Sequence, residues 1–165
     1  MSEKLKIVDH TAIKVNQITI IILSIIAFIL DEPWITLMTS LVMLIGTIIG
    51  KPGFIFLYNR ILKPLKLAKP KVFTDNPEPH RFAQGVGFTF LFTGSLSVFL
   101  GSTTLGWTLT WVVIILAALN AFGGFCAGCF VYYWLSRLNF PGFTQHPPEG
   151  TFPGMRPKDL EAHES

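Results

Sequence analysis

The chain has 165 residues, of which 50% are hydrophobic and only 14% are charged, well below the roughly one quarter typical of soluble domains. No Asp, Glu, Lys, Arg or His occurs across residues 82–136, whereas a helix crosses a bilayer with about 20 residues. A soluble helical protein would keep a charged outer face. The net charge of +3 does not indicate nucleic-acid binding, because the basic residues flank apolar segments.

The first two predicted spans cover residues 15–30 and 33–50. No signal-peptide cleavage pattern follows the first span, so we interpret it as a retained signal anchor. Asp31-Glu32-Pro33 separates the spans, and Pro33 suits the first turn of a helix. Gly46 and Gly50 have the spacing that lets two helix backbones approach closely. The pattern predicts a helical hairpin with almost no loop.

The connection to the third span carries both apolar and basic residues. Apolar residues recur near helical spacing over 54–65, with basic residues between them. This pattern predicts a short interfacial helix between spans two and three, with its apolar side toward lipid. A plain loop is the alternative, and four prolines over 64–79 favour an irregular chain beyond it.

The third predicted span covers residues 82–101 and the fourth 105–125, with a continuation to residue 137. At about 1.5 Å per residue, the apolar stretch over 107–135 is longer than a hydrocarbon core of about 30 Å. Gly123-Gly124 is the natural breaking point. Residues 1–138 thus form a predicted four-helix transmembrane domain, and the Pro- and Gly-rich residues 139–165 form a cytoplasmic tail that is extended or disordered.

The basic residues predict the orientation in the membrane. All 13 Lys and Arg precede span one, lie between spans two and three, or follow span four. The other two connections contain none. By the positive-inside rule, both termini are cytoplasmic and the number of crossings is even.

The cysteines form the one motif in the sequence that indicates a chemical function. Cys126 and Cys129, the only two in the chain, would share one helix face at a separation compatible with a disulfide. A helix that starts after Gly123-Gly124 would place Cys126 in its first turn, where N–H groups favour a thiolate. On the cytoplasmic side thiols stay reduced, so we expect no structural disulfide. A redox pair, a sulfur carrier, a metal site and buried packing residues remain open.

Six polar residues are expected at a similar depth and could support the cysteines. They are Asn16, Gln17, His80, Arg81, Gln84 and Asn120. A cation from His80 or Arg81 would favour the thiolate. Alternatively, the amides only hold helices together and the cations only anchor to lipid phosphates. Zinc is not predicted, because His10 and His80 lack ligand spacing.

Two segments carry a resemblance to a known family. The FAQGVG segment (82–87) and the GFCAGC segment (124–129), together with Asn120 and residues 15–17, resemble domain of unknown function 4395. This is a family of small bacterial integral membrane proteins with four predicted spans, and the resemblance covers about residues 7–138. It implies the bacterial cytoplasmic membrane and no established activity. Its association with thioredoxin-like and sulfurtransferase-like proteins favours thiol or sulfur chemistry.

The sequence therefore predicts an all-α polytopic membrane protein with four transmembrane helices in the lipid bilayer. The leading hypothesis is thiol redox or sulfur-relay chemistry, with Cys126 as nucleophile, Cys129 as resolving residue and a cytoplasmic thioredoxin-like or sulfurtransferase-like partner. The alternatives are an accessory subunit of a membrane complex and a homodimeric transporter of a small sulfur-containing solute. Transport is disfavoured because the spans contain no ionisable side chain. No cofactor, metal or nucleic acid is predicted.

Overall fold

A computed structural model describes residues 6–64, 72–147 and 150–156. Several residues used in the orientation argument, and the end of the tail, lie outside these ranges. The basic residues concerned are Lys4, Lys66, Lys69, Lys71 and Lys158.

Within the described residues the chain forms six α-helices, one π-helical turn and two short strands. In chain order they are β1 (Lys6–Asp9), α1 (His10–Leu30), α2 (Pro33–Ile49), α3 (Ile55–Leu57), the π-helical turn (Tyr58–Leu62), β2 (Val72–Asp75), α4 (Pro77–Phe99), α5 (Thr103–Gly123) and α6 (Ala127–Arg137). The predicted all-α class is confirmed. A short helical segment occupies the connection between α2 and α4, at the predicted place.

The helix ends follow capping chemistry more closely than hydropathy. Asp9 accepts a hydrogen bond from the Thr11 N–H at 2.9 Å, so α1 begins at His10, before the apolar stretch. Asp31 adopts a left-handed conformation (φ 55°) and ends α1. Pro33 stands in the first turn of α2. A two-residue link therefore joins α1 and α2 into a hairpin.

Three helices, α1, α4 and α5, are long and apolar enough to cross a membrane, and α2 is a shorter apolar helix of 17 residues. Large apolar side chains point outward from the bundle. Examples are Ile22, Ile29, Trp34, Ile45, Ile48, Ile115 and Phe122. An exposed apolar surface of this extent marks an interaction with lipid or protein. Together, the apolar helices indicate contact with a lipid bilayer and a multi-pass membrane protein.

Helix α2 lies antiparallel along α4. The Thr36 and Ser95 hydroxyls are 2.9 Å apart near one end, and the Gln84 amide donates to the Met43 carbonyl at 3.0 Å nearer the other. Gly46 permits the close packing here, since a Cβ on it would lie 2.5 Å from Gln84 Nε2 in α4. Gly50, predicted to share this role, instead ends α2 with a positive φ of 77°.

The two short turns of the bundle share one end. The Trp107 indole at the start of α5 donates to Asp31, in the α1–α2 turn, at 3.0 Å. The start of α1, the end of α2 and the start of α4 therefore meet at the opposite end. Basic residues there include Lys14, whose ammonium lies over the Phe122 ring, and Lys51, whose carbonyl accepts from Gln84.

The strands β1 and β2 pair antiparallel, with Lys6 opposite Asp75 and Asp9 opposite Val72. The sequence analysis predicted no strand. Segments of four residues are too short to show an alternating pattern, and their partners are more than sixty residues apart in the chain. The pairing holds the segment that ends at Asp75 against the start of the chain, and the Asp75 side chain contacts His10, the first residue of α1.

Candidate functional site

The cysteine pair lies where the fourth predicted span breaks. Helix α5 ends at Gly123, Gly124 follows with a positive φ of 66°, and α6 begins at Ala127. Cys126 is the N-cap of α6, and its Sγ accepts the Cys129 N–H at 3.2 Å. Backbone donors at a helix start stabilise a sulfur that carries negative charge.

Cys126 and Cys129 are joined by a disulfide bond, whereas the sequence analysis expected reduced thiols. The turn that leads into α6 sets their Cα atoms 5.2 Å apart, inside the usual range for a disulfide. Both residues are buried, with exposed fractions of 5% and 3%. The structure thus describes the oxidised state, and an incoming reactant needs an opening to reach either sulfur.

Helix α4 brings an imidazole to the pair. His80 Nδ1 lies 3.5 Å from Cys129 Sγ, and His80 Nε2 lies 3.0 Å from Asp75 Oδ2. A disulfide sulfur, an imidazole and a carboxylate are thereby connected in sequence. His80 was a predicted supporting residue. Asp75 was not, because the sequence analysis began span three at residue 82, whereas α4 begins at Pro77 and brings Asp75, five residues before His80, to the same helix start.

Asp75 is shared by two histidines. His10 Nε2 also lies 3.0 Å from Asp75 Oδ2, while Oδ1 accepts the Asn76 N–H at 2.8 Å. Burial alone would raise the pKa of Asp75, but the hydrogen bonds from His10, His80 and Asn76 and the charge of His80 together hold it well below its usual range. Asp75 is therefore a carboxylate.

The charge of Asp75 determines the tautomer of His80. A carboxylate only accepts hydrogen bonds, so the Nε2 atoms of His10 and His80 must both carry a proton. In neutral His80, Nδ1 then holds a lone pair directed at Cys129. When the disulfide is reduced, a proton can therefore pass between the Cys129 thiol and His80 Nδ1.

The six predicted polar residues line one cavity of about 200 Å³. Asn16 Oδ1 accepts the Phe54 N–H at 2.9 Å, and Gln84 bonds to the carbonyls of Met43 and Lys51. These contacts join the ends of α1, α2 and α4, as helix-packing amides would. A neighbouring cavity of about 70 Å³ is lined by Asn16, Gln84 and Cys126 among others, so it extends from the amides to the sulfur.

Arg81 and the remaining predicted residues do not contact the sulfurs. The Arg81 guanidinium donates to the carbonyls of Thr47 and Ile48 at the end of α2, where a cation complements the helix dipole. Gln17 lines both of the cavities just described, and Asn120 lines these and another of about 20 Å³ beside the cysteines. His80 is thus the predicted cation that approaches the pair.

Residues 150–156 form a strap over the cysteine motif, although the tail was predicted to be separate. The Gly154 carbonyl accepts the Cys126 N–H at 2.7 Å, and the Arg156 N–H donates to the Gly124 carbonyl at 2.9 Å. Gly154 has a positive φ of 84°, and a Cβ on it would lie 2.9 Å from the Cys126 carbonyl oxygen. The strap therefore covers the backbone of the buried pair.

A Gly154→Ala substitution is expected to loosen the strap and speed reduction of the disulfide by about tenfold. The left-handed conformation costs a non-glycine residue about 1–2 kcal/mol, and the added methyl group would also crowd Cys126. The measurement is the rate of reduction by a water-soluble phosphine. Gly142→Ala is the control, because its φ is 95° with open space around it. Equal rates in the two variants would contradict a covering role for the strap.

Comparison with protein families identifies the chain. The profile described as Domain of unknown function (DUF4395) matches residues 8–137. The chain belongs to this family. The DUF4395 match includes α1 to α6, both cysteines, His80 and Asp75, whereas the strap lies beyond it. No curated protein and no solved structure matches the chain.

Proposed function

We propose that this DUF4395 protein carries out thiol–disulfide exchange at the membrane, with Cys126 and Cys129 as the redox pair. The observation that supports this most directly is the connected set Cys129–His80–Asp75, at distances of 3.5 and 3.0 Å, beside a Cys126 that caps a helix. A disulfide that only stabilises the fold has no need of an imidazole with its lone pair directed at one sulfur.

The two cysteines take different roles in this proposal. Cys126 is the attacking thiolate, because its sulfur accepts a backbone N–H at the start of α6. Cys129 is the resolving residue, because its thiol can lose its proton to His80 Nδ1. Asp75 is a positioning residue that fixes the ring and tautomer of His80.

The exchange balances with a partner disulfide as the oxidant. The Cys126 thiolate attacks one partner sulfur, and a mixed disulfide forms as the first partner thiolate leaves. His80 accepts the Cys129 proton, and the Cys129 thiolate attacks Cys126 Sγ. The second partner thiolate leaves and receives the proton from His80. The pair becomes a disulfide, and the partner gains two electrons as one thiol and one thiolate. The thiolate takes up from water the proton that Cys126 lost when it ionised, and with a reducing partner the steps run in reverse.

We further propose four crossings, with both termini and the cysteines on the cytoplasmic side of a bacterial inner membrane. Helix α2 supplies the fourth crossing, because its contacts with α4 extend from Thr36 to Thr47. Its 17 residues span about 25 Å, a mismatch that local thinning of the bilayer accommodates. The segregation of Lys and Arg supports the orientation. Transient redox disulfides are the usual kind in that compartment.

The partner in this proposal is a cytoplasmic thioredoxin-like or sulfurtransferase-like protein with an accessible thiol. Because both sulfurs are buried, such a protein has to displace the strap around Gly154 before it can reach Cys126. The strap is held by backbone hydrogen bonds to residues 124 and 126 and by Phe152 stacked on Phe130, and none of these contacts joins two of the long helices. Its displacement therefore leaves the helix bundle intact.

A sulfur relay is the second candidate for the same pair. The cavity of about 70 Å³ leads from Asn16 and Gln84 to Cys126, which favours a small sulfur donor over a protein. A persulfide on Cys126, detected by mass spectrometry after incubation with thiosulfate, would favour this candidate.

The double variant Cys126→Ser/Cys129→Ser is expected to insert normally but to lose the redox phenotype entirely. The test compares it with wild type in a deletion strain under thiol stress, with membrane insertion checked by fractionation. Alkylation in intact cells should label the wild-type thiols with a permeant maleimide and not with an impermeant one. Full complementation by the double variant would rule out thiol chemistry and favour an accessory subunit. Labelling by the impermeant reagent would contradict the proposed orientation, because it would show that the cysteines face the periplasm.

A further inference from the structure

We propose that the reduced form binds one Zn²⁺ ion through Cys126 Sγ, Cys129 Sγ and His80 Nδ1. The sequence analysis gave zinc no support because the histidines lack ligand spacing in the sequence. The packing of α4 against α6 nevertheless brings His80 close to both cysteines. The inference is independent of thiol–disulfide exchange, since it requires only that the two thiols form.

The three ligand atoms already lie close together. They all lie within 4.8 Å of one another, and His80 Nδ1 is 3.5 Å from Cys129 Sγ. Zn–S and Zn–N bonds of about 2.3 and 2.05 Å at tetrahedral angles place sulfur and nitrogen about 3.6 Å apart. To bind the ion, the two sulfurs, bonded in the oxidised form, have to separate, and Cys126 Sγ, which lies within 4.8 Å of His80 Nδ1, has to settle at about 3.6 Å from it.

The cysteine motif has the local form of a zinc-binding turn. Two cysteines with two residues between them are a common half of a zinc site. Cys126 Sγ also accepts the Cys129 N–H at 3.2 Å, which stabilises the thiolate that zinc requires. A thiol reductant supplies two electrons and two protons to open the disulfide. Zinc binding then releases the two thiol protons, leaving a neutral site with two thiolates and a neutral imidazole.

The surroundings of His80 match the outer shell of a metal site. A histidine that binds zinc almost always donates its other ring N–H to a carboxylate or carbonyl, which fixes the tautomer. His80 Nε2 makes this contact with Asp75 at 3.0 Å, and His10 holds the same carboxylate oxygen from the opposite helix. His80 is thereby oriented with Nδ1 toward the sulfurs.

A fourth ligand position is available beside the pair. A cavity of about 20 Å³ is lined by His80, Asn120 and both cysteines, which is enough room for one water molecule. Three protein ligands and one water form the arrangement of a zinc site with an open position. The site is accordingly of the open type and is present only in the dithiol state.

The test uses the full chain in detergent micelles, reduced with a phosphine under anaerobic conditions and titrated with Co²⁺. We expect one Co²⁺ per chain, with visible bands of a tetrahedral ion and thiolate-to-cobalt charge transfer, and displacement by one equivalent of Zn²⁺. Cys129→Ser and His80→Ala each remove one ligand. Each variant should therefore either show a weaker charge-transfer band or lose tight Co²⁺ binding. Asp75→Asn should weaken zinc binding about 10–100-fold.

His146→Ala is the matched control, since it removes an exposed imidazole that lies outside the cluster. Helix content by circular dichroism shows which variants are folded. Cys129→Ser is nearly isosteric with the wild type, so it tests the proposal even if His80→Ala does not fold. The proposal is overturned if the reduced wild type shows no thiolate-to-cobalt band. It is also overturned if the double cysteine variant binds Co²⁺ equally well, which would place the ion on His10, Asp75 and His80. Exchange assays with a chelator present test the redox proposal separately.

Discussion

A Cys129→Ser variant is expected to accumulate as a mixed disulfide between Cys126 and its partner protein, and its turnover in exchange should be lost. In the proposed exchange Cys126 attacks the partner, and only Cys129 is positioned to release it, since the two Cα atoms are 5.2 Å apart. Serine keeps the size of the side chain but cannot attack a disulfide. The measurement is a covalent adduct on non-reducing gels, identified by mass spectrometry and absent after reduction.

Cys126→Ser is the matched control for this trapping experiment. It retains one cysteine at the same site, but that cysteine is the one beside His80 and does not cap α6. We expect no adduct from it. An adduct from Cys126→Ser alone would exchange the roles of the two cysteines, and the absence of an adduct from both variants would contradict a protein partner for the pair.

An Asp75→Asn variant is expected to slow closure of the disulfide by about 10²–10⁴-fold, the usual contribution of a positioned proton acceptor. The amide removes the charge that keeps a proton on His80 Nε2, so Nδ1 is no longer held as an acceptor toward Cys129. Stopped-flow oxidation of the reduced, metal-free protein by glutathione disulfide gives the rate. A structural role alone would leave the pH dependence of that rate unchanged, whereas the proposed role alters it.

Asp9→Asn is the control for Asp75→Asn. Asp9 is also a carboxylate at this end of the bundle, where it caps α1 and accepts from the Tyr58 hydroxyl at 2.8 Å, without contact to His80. Asparagine caps helices about as well as aspartate, so the fold is retained. Equal rates in the two variants would remove Asp75 from the mechanism.

In the oxidised form, the difference in stability between wild type and the Asp75→Asn variant is expected to depend on pH. Burial opposes the charge, but the hydrogen bonds from the two histidines hold the pKa of Asp75 below its unfolded value of about 3.9. The carboxylate therefore stabilises the fold above about pH 4, and this contribution is lost as the pH falls further. The Tm difference between wild type and variant should shrink on acidification from about pH 6 to pH 3. A constant difference would contradict this assignment.

The helices could be predicted because each is a long apolar stretch bounded by Pro, Gly or Asp, and those signals are local. The break at Gly123-Gly124 and the capping position of Cys126 follow from the same local chemistry. The role of His80 was predicted only in general terms, as a cation near a sulfur. Which face of α4 meets α6 depends on packing, where Gly128 comes so close that a Cβ would lie 2.7 Å from Ala83 Cα.

The parts that could not be predicted depend on long-range pairing. Asp75 contacts His10 across 65 residues of sequence, in a region where two four-residue strands pair, and the strap reaches Cys126 through a single bridge between Phe125 and Met155. Neither has a periodic pattern, because so few residues take part. The sequence analysis found the spacing of the two cysteines compatible with a disulfide but expected reduced thiols, because it argued the redox state from the compartment, whereas the structure has the pair oxidised.

The shared carboxylate has a consequence for how the protein should be handled. Asp75 belongs to β2, and β2 is paired with β1 at the start of the described chain, just before His10. An affinity tag or deletion that disturbs residues 6–9 would therefore act on the sulfur chemistry from a distance, by shifting the carboxylate that orients His80. Purification handles are better attached at a site removed from both the first strand and the strap.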